Sequence, residues 1–250
     1  MVIAVRTDAV TVPMITKKKV TISWSGGKDS AFALYRILAS NEFDVVNLHT
    51  VIDRDSKRVG LHGVRETLIE KQAERIGLEL EKIYLPASGD HDIYKTVMQD
   101  FYRDCSSSGI DGVVFGDIFL EDLRDFRISL LEPSKLLSFF PLWNLDSTML
   151  LRDFINLGFK TTICSADSRF FSVSDLNAID SQFLDTLDPL IDPCGENGEF
   201  HTFVFDGPLF KSEIPIVKGE TVKKTYRYQK RESNGEVKEL ESSFWFQDLL

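Results

Sequence analysis

The sequence predicts an α/β fold in which a parallel sheet, flanked by helices, is followed by a smaller α+β unit. Three observations carry this. From Val20 to Leu131, short apolar and β-branched runs alternate with amphipathic stretches of helical length. Each intervening helix is long enough for the right-handed crossover that parallel neighbours require. Beyond Pro133 the elements shorten, and the chain ends in two strand-like runs joined through Ser233-Asn234-Gly235, a β-hairpin signal.

With 250 residues, 43% hydrophobic and 27% charged, the chain suits one large domain or two small ones. We divide it into a leader over 1–18, a first domain over 19–133 and a second over 134–250. In the first domain, Val20-Thr21-Ile22-Ser23-Trp24 reads as a strand and Ala31–Leu38 as part of the helix that follows. Phe43–Thr50 is the second strand. Val64–Gly77 is an amphipathic helix with Val64, Leu68, Ile69, Ala73 and Ile76 near helical spacing and Gly77 as its stop. Leu78–Leu85 is a strand, His91–Cys105 a helix, Gly112–Gly116 an apolar strand and Leu120–Leu131 a helix carrying Glu121, Arg124 and Arg127. Pro133 and Phe139–Trp143 interrupt the pattern and mark the boundary.

In the second domain, Ser147–Leu157 reads as a helix and Phe159–Cys164 as a strand. Ser174–Leu187 reads as a helix capped by Ser174. A polar loop over Asp192–Thr202, a short strand over Phe203–Phe205, and the hairpin runs Thr221–Lys230 and Val237–Phe246 complete the chain.

A formal charge of −10 gives no general attraction to a polyanion, so nucleic acid is not an expected partner. Cys105, Cys164 and Cys194 are odd in number and widely spaced, which argues against a disulfide framework or a zinc site and for a reduced, cytoplasmic setting. Met1–Pro13 has no long apolar core, so no signal peptide is expected, and no apolar run approaches the ~18 residues of a membrane helix. A homo-oligomer stays open.

The chemistry concentrates in Ser25-Gly26-Gly27-Lys28-Asp29-Ser30, between the first strand and its helix. Paired glycines let consecutive backbone N–H groups approach a ligand closely. The helix start adds unpaired N–H groups and a positive dipole end, and Lys28 adds a mobile charge. The bland alternative is an ordinary turn capped by Asp29 or Ser30, but the full run behind a buried-type strand favours a phosphate cradle. It matches neither Gly-x-x-x-x-Gly-Lys-Ser/Thr nor Gly-x-Gly-x-x-Gly. In a parallel sheet the crevice lies at strand carboxyl ends, which brings this loop together with His49-Thr50 and Gly116-Asp117.

A second cluster, Asp192 to Thr202, packs Asp192, Glu196, Glu199 and His201 among two glycines and a proline. Alone it reads either as a solvated loop or as a loop whose carboxylates hold Mg²⁺ on ATP or steer ammonia, with His201 moving a proton.

Ser25–Ser30 resembles the signature of the PP-loop ATP pyrophosphatases, which cleave ATP between its α- and β-phosphates. Taken with Leu61-His62-Gly63, Gly116-Asp117-Ile118, Phe140-Pro141-Leu142-Trp143, Gly195–Thr202 and Asp206-Gly207-Pro208, the sequence resembles the diphthine–ammonia ligase family over about residues 19–211. The resemblance implies a HUP-like (Rossmann-type) N-terminal domain and a family-specific C-terminal domain with a cleft between them. It also implies an ATP-dependent amide ligase that adenylates a carboxylate and transfers ammonia to it, in that family diphthine on elongation factor 2.

Carried over by residue, Ser25, Gly26, Gly27, Lys28, Asp29 and Ser30 bind the pyrophosphate end of ATP, and Asp29 is the candidate Mg²⁺ ligand. His49 and Thr50 are adenosine-side candidates by position. Gly116 and Asp117 are ATP-binding candidates, with Asp117 alternatively a helix cap. Glu196, Asn197, Glu199 and His201 line the acceptor or ammonia site. Lys28, Asp29, Glu199 and His201 are the catalytic candidates. His62 is a substrate-site candidate or a structural cap. Sulfur transfer is disfavoured because no close cysteine pair exists. The competing readings are a PP-loop tRNA-modifying enzyme and a nucleotide-binding sensor without turnover.

Overall fold

The structure, a computed structural model, describes residues 16–60, 62–86, 91–231 and 237–250. Most of the expected leader, Leu61 and the Ser233-Asn234-Gly235 turn lie outside the described residues.

In the first half the elements are β1 (Lys18–Ser23), α1 (Lys28–Ser40), β2 (Phe43–Asp53), β3 (Arg58–Val59), β4 (Val64–Arg65) and α2 (Glu66–Ile76). They continue with β5 (Glu79–Leu85), α3 (His91–Ser107), β6 (Gly112–Val114), α4 (Glu121–Leu131) and β7 (Leu137–Phe139). β1 pairs in parallel with β2 and β6, β5 with β2, and β7 with β6. The parallel order is therefore β5-β2-β1-β6-β7, in chain order 3-2-1-4-5, the doubly wound order. Chain order reverses between β1 and β6, so the loops after these two strands open one crevice. Val20, Ile22, Val113 and Val114 are fully buried, as strands covered on both faces should be. Helix α1 buries Ala31, Phe32, Ala33, Leu34 and Ile37 against them.

The change of sheet comes later than residue 133. Pro133 lies in a single 3₁₀ turn, Glu132–Ser134, at whose start a missing N–H costs nothing. It redirects the chain into β7, which still belongs to the first sheet. The short antiparallel pair β3–β4, which the sequence reading lacked, extends from the far end of β2.

The second half contains α5 (Ser147–Asn156), β8 (Lys160–Asp167), α6 (Ser181–Thr186), β9 (Phe200–Asp206), β10 (Lys218–Arg231) and β11 (Val237–Leu249). Its strands form an antiparallel sheet ordered β10-β11-β8-β9. The expected helix over Ser174–Leu187 is reduced to α6. Ile163 N–H bonds Asn177 O and Ile179 N–H bonds Thr161 O, so the backbone around Ala178 is engaged with β8. Ser172 and Asp175 form a capping box on a 3₁₀ turn, and Asp180 caps α6 by accepting from Phe183 N–H.

One hydrophobic core runs through both sheets, from Val20 and Leu34 to Phe203 and Leu249. At the periphery, Asp248 of β11 accepts from Arg65 of β4 at 2.6 Å and pairs with Arg58 of β3 at 2.8 Å. Both partners hold its carboxyl below the usual range.

Candidate functional site

The Ser25–Ser30 loop leaves β1 and enters α1 at the point of strand reversal. Gly26 has φ +81°, and a Cβ there would lie 2.5 Å from Ile69 Cδ1 and 2.7 Å from Gln72 Oε1. Only glycine fits, because both conformation and space exclude a side chain. Gln72, fully buried on the inner face of α2, donates to Gly26 O at 2.9 Å and to Val204 O at 2.6 Å, and accepts from Trp24 Nε1 at 2.9 Å. Opposite the loop, a Cβ at Gly116 would lie 2.8 Å from the carbonyl carbon of Asp29. The end of β6 thus packs directly on the start of α1.

The other wall comes from the second sheet. Val204 N–H donates to Gly26 O at 2.9 Å, and Lys28 N–H donates to Thr202 Oγ1 at 3.0 Å. β9 therefore runs along the loop and caps the first helical N–H from outside the helix. The Lys28 ammonium is buried. It bonds both Asp29 oxygens at 2.8 Å, bonds Cys194 O, and lies 5.4 Å from the centre of the Phe200 ring. Burial alone would lower its pKa, but Asp29 and the other acidic groups around it hold it above the ordinary lysine value.

A cleft of about 210 Å³ opens over these groups. Ser25, Lys28, Asp29 and Ser30 line it together with Gly116 and Asp117 from the end of β6 and with His62, Glu196 and His201. Glu196 Oε1 accepts from Ile118 N–H at 2.7 Å, tying the late loop to the end of β6. Burial, with the nearby Asp29 and Asp117, raises its carboxyl to about 7. Asp117 is likewise raised by burial, opposed by Arg127, whose Nε lies 3.6 Å away. The His62 and His201 rings are 4.7 Å apart. Burial lowers His62 to about 4, and burial with His62 and Lys28 nearby lowers His201 well below the usual range. Both are neutral imidazoles at pH 7.

The sequence-based site is thus largely brought together, but six candidates do not line the cleft, among them Gly26 and Gly27 of the loop itself. His49 and Thr50 are buried away from the cleft. β2 runs on to Asp53, flanked by β1 and β5, so these residues lie inside the strand and not at its carboxyl end. His49 Nδ1 pairs with Thr21 Oγ1 at 2.9 Å, and its ring packs on Phe101. Asn197 and Glu199 are also outside the cleft lining. Glu199, 6% exposed, accepts at Oε1 from Asp192 N–H at 3.0 Å and from Asn197 Nδ2 at 3.1 Å, which braces the loop from within. Cys164 and Cys194 donate to different backbone carbonyls, those of His201 and Ser147.

Sequence reasoning passed over Gln72 and gave no site role to Thr202, which stands in the Gly195–Thr202 motif, or to Arg127, on the Leu120–Leu131 helix. Gln72 had a readable signal, an uncharged polar residue on the apolar face of a helix beside Leu68, Ile69 and Ala73. The roles of Thr202 and Arg127 depend on tertiary placement, with β9 against the loop and α4 beside Asp117.

Sheet order, glycine-paired loop and cleft define a Rossmann-like α/β protein. The diphthamide synthase N-terminal domain model matches residues 18–130 and the diphthamide synthase C-terminal domain model residues 146–235. The chain belongs to this family, that of the diphthine–ammonia ligases. It is 26% identical over 234 residues to the zebrafish (Danio rerio) diphthine–ammonia ligase, covering 79% of this chain and 86% of that one. It is 25% identical over 235 residues to the human enzyme, covering 79% and 82%. The Schizosaccharomyces pombe protein of the same name is 28% identical over 217 residues, and the match spans 36% of its length. A solved U34-tRNA thiolase from Methanococcus maripaludis superposes on 60% of the chain at 16% identity and TM-score 0.38.

Proposed function

We propose that this chain is an AMP-forming amide ligase that uses ATP to activate a carboxylate and then transfers ammonia to it. The observation that carries the reading is the cleft built by both sheets, where Ser25, Ser30, a helix start and the buried Lys28 converge with Glu196 and two neutral histidines.

The chemistry follows from charge. A carboxylate attacks the α-phosphate poorly because both are anionic, so the site must neutralise phosphate and hold the partners together. The Ser25–Ser30 loop and the α1 N-terminus grip the pyrophosphate end. Lys28, now turned onto Asp29 and Cys194 O, exchanges those partners for phosphate oxygens. The acceptor oxygen forms its bond to the α-phosphorus as the bond to the β-phosphate oxygen breaks, releasing pyrophosphate. Ammonia then adds to the acyl carbon, a proton is lost and AMP leaves. His62 and His201 are neutral and can take up that proton once phosphate charge lies beside them.

Mg²⁺ fits the donors present only as a nucleotide-borne ion. Asp29 is one third exposed and faces the cleft, but among the described residues no group of three metal-ligating side chains forms a cage. Held by Asp29 and phosphate oxygens, the ion would supply charge neutralisation. The acceptor we assign is diphthine, a modified histidine on an elongation factor, in keeping with the activity named for the relatives.

Incubation with ATP, Mg²⁺, ammonium and a diphthine-bearing elongation factor should release AMP and pyrophosphate in step with amide. Lys28→Ala should abolish both while leaving the circular-dichroism spectrum unchanged. Release of ADP, or full turnover by Lys28→Ala, would overturn the reading.

A further inference from the structure

Among the described residues, Lys28 and Arg127 are the cations that line the cleft, and they differ in how far their donors are used. Lys28 bonds both Asp29 oxygens and Cys194 O. Arg127, on α4, is half-buried, and its Nε is shut off from solvent with no hydrogen-bond partner. Asp117 Oδ2 stands 3.6 Å from that nitrogen, near enough to offset charge but beyond hydrogen-bond reach. Nη1 donates to Tyr94 Oη at 3.4 Å, and the guanidinium lies 5.3 Å from the centre of the Phe115 ring. Neither contact supplies the paired oxygen acceptors that a guanidinium fork fits.

A buried charged donor without an acceptor is costly, and a cleft is where a ligand can provide one. Arg124 supplies the contrast. It lies one turn earlier on α4, and its Nε is also buried and unpartnered. Its guanidinium, however, stacks on Trp143 at 4.4 Å, and it does not line the cleft. The two arginines share a helix and a charge, but only Arg127 meets what the cleft holds.

In the ligase reading the Ser25–Ser30 loop and Lys28 take the pyrophosphate end of ATP. Two oxyanions remain to be held in the same cleft, the α-phosphate and the acceptor carboxylate. A guanidinium on the carboxylate would tie up the lone pairs that must attack, whereas on the α-phosphate it draws off the charge that grows there in the transition state. We propose that Arg127 grips the α-phosphate of ATP through paired N–H donors, a catalytic role that deepens the ligase reading and rests on it.

Calorimetry of the full chain with AMP, adenosine and pyrophosphate tests this. Arg127→Gln should weaken AMP binding by at least about tenfold and leave adenosine and pyrophosphate affinities unchanged. Arg127→Lys should recover only part of the loss, because it keeps the charge without the fork. Arg124→Gln, the same change of charge on the same helix, should bind all three probes as the wild type does. Because Arg127→Gln leaves the buried Asp117 without its counter-charge, the double variant Arg127→Gln/Asp117→Asn is measured beside it and should show the same loss. Equal affinity of the wild type for AMP and adenosine, unchanged AMP binding by Arg127→Gln, or a loss that the double variant restores overturns the proposal. All three affinities are read without turnover, so the ligase reading is decided separately, by AMP release from ATP.

Discussion

His49 separates two accounts of the second strand, one in which it meets the nucleotide and one in which it belongs to the core. The imidazole is 1% exposed, paired with Thr21 Oγ1 at 2.9 Å and packed on Phe101. Burial, with a smaller contribution from Arg127, lowers its pKa to about 3. An unfolded histidine takes a proton near pH ~6.5. The folded form is therefore the weaker proton binder, so the stability contributed by neutral His49 is full above that pH and is lost as pH falls toward 3. Between pH 7 and pH 5 this single side chain should cost about 2 kcal/mol. The perturbation is His49→Gln, and the assay is urea unfolding of both proteins at pH 7, 6 and 5. His62 and His201 titrate alike in the two proteins and cancel from the difference. The stability advantage of the wild type should shrink by about 2 kcal/mol across the range, with ATP affinity unchanged at pH 7. Parallel pH curves together with a tenfold loss of ATP affinity would refute the core placement.

Two further outcomes test how the second sheet shapes the cleft. Thr202→Val keeps side-chain shape but leaves the Lys28 N–H buried without an acceptor; it should cost about 1–3 kcal/mol and weaken ATP binding, with Thr202→Ser restoring both in urea unfolding and calorimetry. Glu199→Ala removes the acceptor for Asp192 N–H and Asn197 and should destabilise by about 2 kcal/mol. It should slow AMP release while ATP affinity stays within about threefold, and unchanged unfolding would show that the brace is dispensable.

The fold was legible where period and punctuation agree. The strands at Val20, Phe43 and Gly112 and the helices they alternate with follow from apolar spacing and glycine stops, and their parallel direction follows from crossover length. The loop was legible because its chemistry is local. What failed was whatever depends on partners distant in sequence. The end of β2 is a local exception, placed at His49-Thr50, three residues short of the polar Asp53-Arg54-Asp55-Ser56 turn that ends it. Ser174–Leu187 has helical composition, but its first half is held by β8. Glu199 reads as a presented acid, yet the backbone N–H of Asp192 turns it inward, whereas Glu196, with the same local chemistry, reaches the cleft through Ile118.

The seam between Gly26 and Val204 bears on how such a chain can be divided. A fragment ending before residue 146 would keep the strand, the helix and every letter of the glycine-paired loop, yet lose the hydroxyl and the amide that β9 supplies. The two halves are unequal contributors to length but joint owners of a single surface. Splitting the gene between two polypeptides would preserve ATP recognition only where their reassociation rebuilds that junction.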